Sequence, residues 1–207
     1  MANKANTVKF GLKNVYYAKA TFSDNGADPT FDTPVRIPGA VNLSLDAEGE
    51  SEPWYADDSI YVVLAANNGY SGDLEITLIP ESFLTDILHE TKDNKGVLVE
   101  QSDVEVEHFA LLFEFNGDQH KTRHVLYNCT CSRPTIESAT TEDTREPQTD
   151  TLTITALPLP SGYVKAKTGQ DIDDTTYNGW FNEVYVPTSL TTRTKSGGTE
   201  SGTDPVG

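Results

Sequence analysis

Long apolar runs are missing from this 207-residue sequence, and hydrophobic residues make up only 36% of it. No stretch approaches the roughly 20 consecutive apolar residues that a membrane-spanning helix needs. The opening MANKANTVKFGLKN lacks the apolar core of a signal peptide, so synthesis and residence in the cytosol are expected, with lysis as the way out. Cysteine is nearly absent too. Cys129 and Cys131 stand two apart in NCTCS, too close along a strand to bridge without distorting the backbone. No second pair exists to complete a zinc site, so two reduced thiols packed in a core are expected.

Cations are scarce: 15 Lys and Arg stand against 32 Asp and Glu, for a net charge of −17. A protein that grips nucleic acid carries the opposite sign, because its affinity comes from displacing counterions with Lys and Arg. The balance argues against a nucleic-acid binder. It leaves room for a protein past which DNA moves without sticking, and it equally suits plain solubility.

Signatures of catalysis are lacking as well. No G-x-S-x-G elbow, Walker loop, dinucleotide glycine fingerprint or H-E-x-x-H is present. His120 and His124 flank a turn and read as a surface pair rather than metal ligands. Asp171–Thr175 opens like a calcium loop, but Thr176 stands where the sixth-position glycine belongs and Asn182 where the glutamate belongs. Paired carboxylates can hydrolyse glycosides, yet no acid here is set apart by an apolar flank. The chain reads as a non-enzyme.

What is present is strand after strand. Val8–Leu12 and Val15–Phe22 flank a break at Lys13-Asn14, and Ser23–Thr33 is loop chemistry. Val41, Leu43 and Leu45 alternate with Asn42, Ser44 and Asp46, and Glu48, Glu50 and Glu52 keep the parity of Asp46. An extended chain would line these four carboxylates about 7 Å apart on a face that must meet water. Within Ser102–Glu107, Asp103, Glu105 and Glu107 form a second such row on one parity. Between the rows, Pro53–Gly72 reads as a long excursion holding Trp54, Tyr55, Tyr61 and Tyr70 with Asp57 and Asp58, and a short strand at Ile60–Leu64. Long connections rich in aromatics tend to be functional or interfacial.

In GDLEITLIPESFLTDIL, residues 72–88, Leu74, Ile76 and Leu78 alternate with Asp73, Glu75 and Thr77. Beyond Pro80 the apolar positions shift to Phe83, Leu84, Ile87 and Leu88, the spacing of a helical face, which predicts a helix over about 80–89. Strands follow at Val97–Glu100, His108–Phe115, Thr122–Cys131, Thr135–Ser138, Thr151–Leu157 and Tyr163–Lys167, with a hairpin signal at Asn116-Gly117; alternation in Thr122–Cys131 sets Arg123, Val125, Tyr127 and Cys129 on one face. Residues 171–190 are ambiguous, and 193–207 cannot support a core and read as a disordered tail. The sum is one domain over 1–192: a mainly β, antiparallel sandwich or open barrel with one flanking helix.

The pieces GDLEITLIPESFLTDIL, NKGVLVE, HFALLFEF, RHVLYNCTCSRPT and TDTLTITAL, with FGLKNVYYA before them, stand in an order that resembles the major tail proteins of long-tailed phages. More narrowly the chain resembles their phi13-type branch, over residues 8 to 168. One departure is His89-Glu90, where that pattern has a glycine just after the helix. The resemblance implies two packed antiparallel sheets with a helix on the flank. It implies six copies in a ring and rings stacked around a lumen that passes DNA at ejection. It implies a virion protein assembled in the host cytoplasm, with no catalytic residues or cofactor. Its partners would be itself and the tape-measure, tail-terminator and distal tail proteins.

Three expectations follow on residues. Some of Asp46, Glu48, Glu50, Glu52, Asp103, Glu105 and Glu107 would face the lumen, since six copies at −17 carry about −102 per ring, a field that repels phosphate. The excursion with Trp54, Tyr55, Asp57, Asp58, Tyr61 and Tyr70 would stack rings. The helix, through Phe83, Leu84, Ile87 and Leu88, would lie at a subunit boundary. A β-sandwich that decorates a virion or binds a receptor or carbohydrate is the second reading.

Overall fold

Alternation of apolar and polar residues continues through most of this chain, and the computed structural model turns it into sheet. The structure describes residues 6–56, 58–117, 119–136, 138, 140 and 148–187. The first strands are β1 (Lys9–Thr21), β2 (Thr30–Phe31), β3 (Val35–Ile37) and β4 (Ala40–Glu48). They are followed by β5 (Ser51–Ala56), β6 (Ser59–Ala65), β7 (Gly69–Ile76) and helix α1 (Glu81–Asp86). Then come β8 (Thr91–Lys92), β9 (Leu98–Val99), β10 (Phe109–Gly117), β11 (Thr122–Cys131), β12 (Asp150–Leu157), β13 (Lys165–Lys167) and helix α2 (Asp174–Gly179).

One antiparallel sheet dominates, in the order β2-β1-β10-β11-β12-β7-β4, with β3 beside β1 and β13 beside β11. Strand β11 divides it. Its first half, His124–Leu126, pairs with β13, and its second half, Asn128–Cys131, pairs with β12. From there the β12-β7-β4 wing turns over the β1-β10 wing, so that Leu43 and Leu45 of β4 approach the core that Leu12 and Phe115 also join. The result is the expected β-sandwich with a helix at its side, made from one folded-over sheet.

Two cores result, one on each face of the β1-β10-β11 layer. The larger holds Val15, Tyr17, Leu74, Ile76, Phe109, Leu111, Leu126, Leu152 and Ile154 together with helix residues Phe83, Ile87 and Leu88. The smaller holds Ala18, Ala110, Leu112, Val125, Tyr127, Leu159 and Trp180. Strand β10 feeds both, because successive side chains point to opposite faces.

Helix α1 is shorter than predicted. Pro80 precedes it, with its carbonyl accepting the amide N–H groups of Phe83 at 2.9 Å and Leu84 at 3.2 Å. Its exit is marked by His89, which holds φ at +56°, the left-handed conformation that favours glycine. The departure seen in the sequence is therefore a histidine in a glycine's backbone geometry. Phe83 stands edge-on to Tyr17 and Phe109, at 5.1 and 5.5 Å between ring centroids.

Four predicted features come out differently. The break at Lys13-Asn14 is a bulge inside one strand: the β1–β10 register slips between Lys13 and Tyr16, and Asn14 takes φ +51°. A second irregularity, between Phe109 and Leu111 against β11, moves Cys129 to the same core as Cys131 and away from Val125 and Tyr127. Ser102–Glu107 and the described residues of Thr135–Ser138 are not strands. Finally, the ambiguous stretch after residue 171 forms a cover for the second core. Asp173 caps α2 by accepting the Thr176 N–H at 2.9 Å, Trp180 donates to the His124 carbonyl at 3.3 Å, and Tyr127 donates to the Tyr185 carbonyl at 2.9 Å. The predicted tail at 193–207 lies outside the described residues.

Candidate assembly surface

The longest feature of the surface is a ribbon. Strands β4 and β7 pair from Ala40↔Ile76 to Glu48↔Gly69, and β5 and β6 pair from Ser51↔Ala65 to Ala56↔Ser59. Between them Asn68 donates to the Glu48 carbonyl at 2.8 Å and Ala66 to that of Glu50 at 3.0 Å, so one hairpin runs on into the next. Gly49 sits at this joint because a Cβ there would lie 2.0 Å from the Ala66 carbonyl oxygen. The predicted excursion is thus the outer half of a β-ribbon.

On the main sheet, the core-facing residues of β4, β7 and β12 leave a second face to solvent. The register sets Ser44 beside Asp73 and Thr153, Asp46 beside Ser71 and Thr155, and Asn42 beside Glu75 and Thr151. Carboxylates and hydroxyls bond to each other there: Thr153 to Asp73 at 2.8 Å, Thr149 to Glu75 at 2.6 Å, and Ser71 to Glu48. No Lys or Arg occurs between Arg36 and Lys92 in the sequence, and none in β12. The face is acidic and hydroxylic without a cation on these three strands. Strand β4 is also an end strand of the sheet, with one edge unpaired among the described residues.

The predicted acids separate. Asp46 and Glu48 lie on this face and are exposed. The row is interrupted at Gly49, where β4 has ended; Glu50 is exposed in the joint, and the Glu52 side chain lies outside the described residues. Asp103 and Glu105 are exposed on irregular chain at the other end of the molecule, where Glu107 donates its N–H to the Ile87 carbonyl at 2.9 Å. The Glu107 carboxylate is half-buried against Lys19 at 3.0 Å and His89 at 2.9 Å. Burial alone would raise its carboxyl, but those two groups outweigh it and hold it below the usual carboxylate range. Asp73 and Glu75 were missed as members of the face, although their alternation with Leu74 and Ile76 was the available signal.

The aromatics separate as well. Trp54 and Tyr61 stand on the hairpin at 63% and 77% exposure, and Asp58 is exposed at its turn. Asp57 and the Tyr55 side chain lie outside the described residues. Tyr70 does not belong with them: it is half-buried in β7, paired with Ala47 and Ala156. The helix residues Phe83, Ile87 and Leu88 are spent on the chain's own core, at 0%, 0% and 2% exposure, and only Leu84 remains half-buried. Any boundary role for α1 therefore falls to its polar side.

Where β4 passes over the β10–β11 layer the sandwich is open, leaving a groove of about 350 Å³. Leu43, Leu45, Phe113 and Phe115 give it an apolar floor, and Lys9 and Lys165 stand at its rim. Lys9 lies 5.2 Å from the Phe115 ring centroid and Lys165 4.2 Å from that of Tyr70. His124 stacks on Phe113 at 5.0 Å. Burial first, and then Lys167, Lys165 and Lys9, push its pKa down to about 4.

Neither cysteine offers chemistry. Both are free and buried; burial raises both thiols, that of Cys131 to about 12. Among the described residues no group of His, Cys, Asp and Glu is arranged to hold a metal ion, and no helix is long and apolar enough to cross a membrane.

A sequence model of the phage tail tube protein family matches residues 1–186. The match is to the family and does not distinguish its phi13-type branch. No curated protein matches the chain. Among solved structures, the cap that terminates the tube of the anti-feeding prophage, determined by cryo-EM, is similar over 80% of this chain and 95% of that one. Its sequence identity of 10% and TM-score of 0.34 are too low to carry an argument.

Proposed function

Since the chain belongs to the phage tail tube protein family, we propose that six copies close into a ring, that neighbouring sheets join edge to edge, and that stacked rings form the conduit for DNA at ejection. A structural tail component that assembles with itself and with other tail proteins is what the family implies. The finer reading rests on one observation: β4, an end strand of nine residues, has one edge unpaired among the described residues, beside an acidic face without a cation on β4, β7 or β12. An open edge of that length invites strand pairing, and an identical copy is the partner present in the highest local amount. Pairing there would extend the β12-β7-β4 wing into a barrel shared by the ring. Its acidic face, with Asp46, Glu48, Asp73 and Glu75, then lines the lumen and repels passing phosphate instead of binding it.

Asp103, Glu105 and Glu107 fit an end face of the ring better than the lumen, because they sit on irregular chain beside α1. The hairpin with Trp54 and Tyr61 serves as the ring-stacking element. The tape-measure, tail-terminator and distal tail proteins are the further partners, met in the host cytoplasm where tails are built. The exposed pair Trp54 and Tyr61 also suits a virion decoration or receptor-binding module.

Negative-stain microscopy of the concentrated protein separates the two. Hollow tubes with regular banding are expected. A fixed small oligomer under every condition, including in mixtures with its tail partners, would overturn the tube reading in favour of the binding module.

A further inference from the structure

We propose that the groove between β4 and the β10–β11 layer receives the outer hairpin, β5–β6, of a second copy of this chain. The inference rests on the tube reading and names the contact that joins one copy to the next along it.

Charge is the first argument. In a chain with 32 acids and 15 cations, Lys9 and Lys165 line this groove, and Lys167 lines the adjoining cleft that shares Lys9, Phe115 and His124 with it. Among the described residues none of the three has a carboxylate partner, whereas Lys19, Lys92, Lys121, Arg123 and Arg133 do; Lys13, Arg36 and Lys95 lack one too, but they line neither cavity. Their combined field reaches His124 and helps keep its ring neutral. Three unneutralised ammonium groups in a protein of net charge −17 select for an anionic occupant.

Chemistry narrows that occupant. The floor between the lysines is Leu43, Leu45, Phe113 and Phe115, so a bare anion would satisfy the rim and leave apolar surface wet. A segment that carries aromatic side chains flanked by carboxylates satisfies both. Within this chain the hairpin does so: Trp54 and Tyr61 are large and exposed among its described side chains, and from Glu50 to Tyr61 the sequence holds Glu50, Glu52, Asp57 and Asp58 with no Lys or Arg.

Geometry makes the contact intermolecular. The hairpin continues the line of β4 and β7 through the bonds of Ala66 and Asn68. Its six-residue strand β5 therefore carries the tip about 20 Å beyond the sheet. The groove lies back along β4 at Leu43 and Leu45, so the tip points away from its own groove and towards another copy.

The test is zero-length carbodiimide cross-linking of wild-type tubes assembled from equal parts of ¹⁴N and ¹⁵N protein. The expected result is mixed-isotope cross-links from Lys9, Lys165 or Lys167 to acids within residues 50–58. Cross-links of those lysines only to acids elsewhere, or none, would overturn the inference. In parallel, Lys165→Glu with Lys167→Glu should raise the concentration needed for assembly more than about tenfold. Adding Glu50→Lys and Asp58→Lys to that variant should restore it. Tubes from wild type and from the Lys165→Glu, Lys167→Glu variant at the same protein concentration would sink the groove contact while leaving the tube reading intact. Absence of tubes from the wild type would instead sink the tube reading.

Discussion

The guanidinium carbon of Arg123 lies 3.8 Å from the ring centroid of Tyr177, so the cation sits between helix α2 and the sheet. From there its Nε reaches the carboxylate of Glu114 at 3.0 Å, and a second nitrogen donates to the Tyr177 carbonyl. Glu114 is fully buried, with Asn14 and Lys121 at 3.3 and 3.4 Å as its other partners. The residues after 171 are therefore held by a charge that the sheet must keep neutralised.

Arg123→Ala is expected to destabilise the isolated subunit by about 3 kcal/mol, because it leaves a buried carboxylate with only the exposed Lys121 as a countercharge. Glu114→Gln with Arg123→Met, which removes both charges, should cost less than the single change. Urea denaturation measures both, and equal losses would refute the account.

Phe83→Ala should cost the monomer about 3–5 kcal/mol, since the ring is wedged between Tyr17 and Phe109 in the core. Leu84→Ala, half-buried on the same helix, should cost far less. Thermal unfolding of the dilute subunit is the measurement. A Phe83→Ala subunit of normal stability that fails only in tube formation would return the ring to a subunit boundary.

His124 makes stability depend on pH in a definite direction. Its folded pKa is about 4, lowered by burial and by Lys167, Lys165 and Lys9, against about 6.5 in an unfolded chain. Below about 6.5 the unfolded chain takes up a proton that the folded one refuses until about 4, so stability falls as pH drops across that window. His124→Gln should flatten the stability profile between pH 6.5 and 4.5 relative to wild type. Parallel profiles would rule this out.

Reversing the sign of the acidic face tests the lumen. Asp46→Lys with Asp73→Lys, carried in phage, should leave tube length normal but slow DNA release, with the delay shrinking as salt rises. Unchanged release kinetics with assembled tails would put this face outside the lumen.

Much of the sheet was legible because period-two alternation is local. Leu74 and Ile76, Phe109 to Phe115, and Leu152 to Ala156 announce their own faces without reference to any partner. Bulges were not legible. Lys13-Asn14 read as a gap between strands, and Cys129 was placed on the wrong face, because an inserted residue shows itself only against the strand beside it. The stretch after 171 stayed ambiguous since Ile172, Trp180 and Phe181 follow the shape of a second core and no period of their own.

Sequence alone determined the sign of the charge, the succession of strands, the amphipathic turn after Pro80 and the exposure of an acidic alternating run, all of them properties of neighbours along the chain. Tertiary structure decided which of these meet. It brought Asp73 and Glu75 beside Asp46 and Glu48, parted Tyr70 from Trp54, enclosed Phe83, and drew Lys9, His124 and Lys165 into one groove. The physical reason is that antiparallel pairing joins residues by register rather than by sequence distance, and register is set by the whole sheet closing over its core.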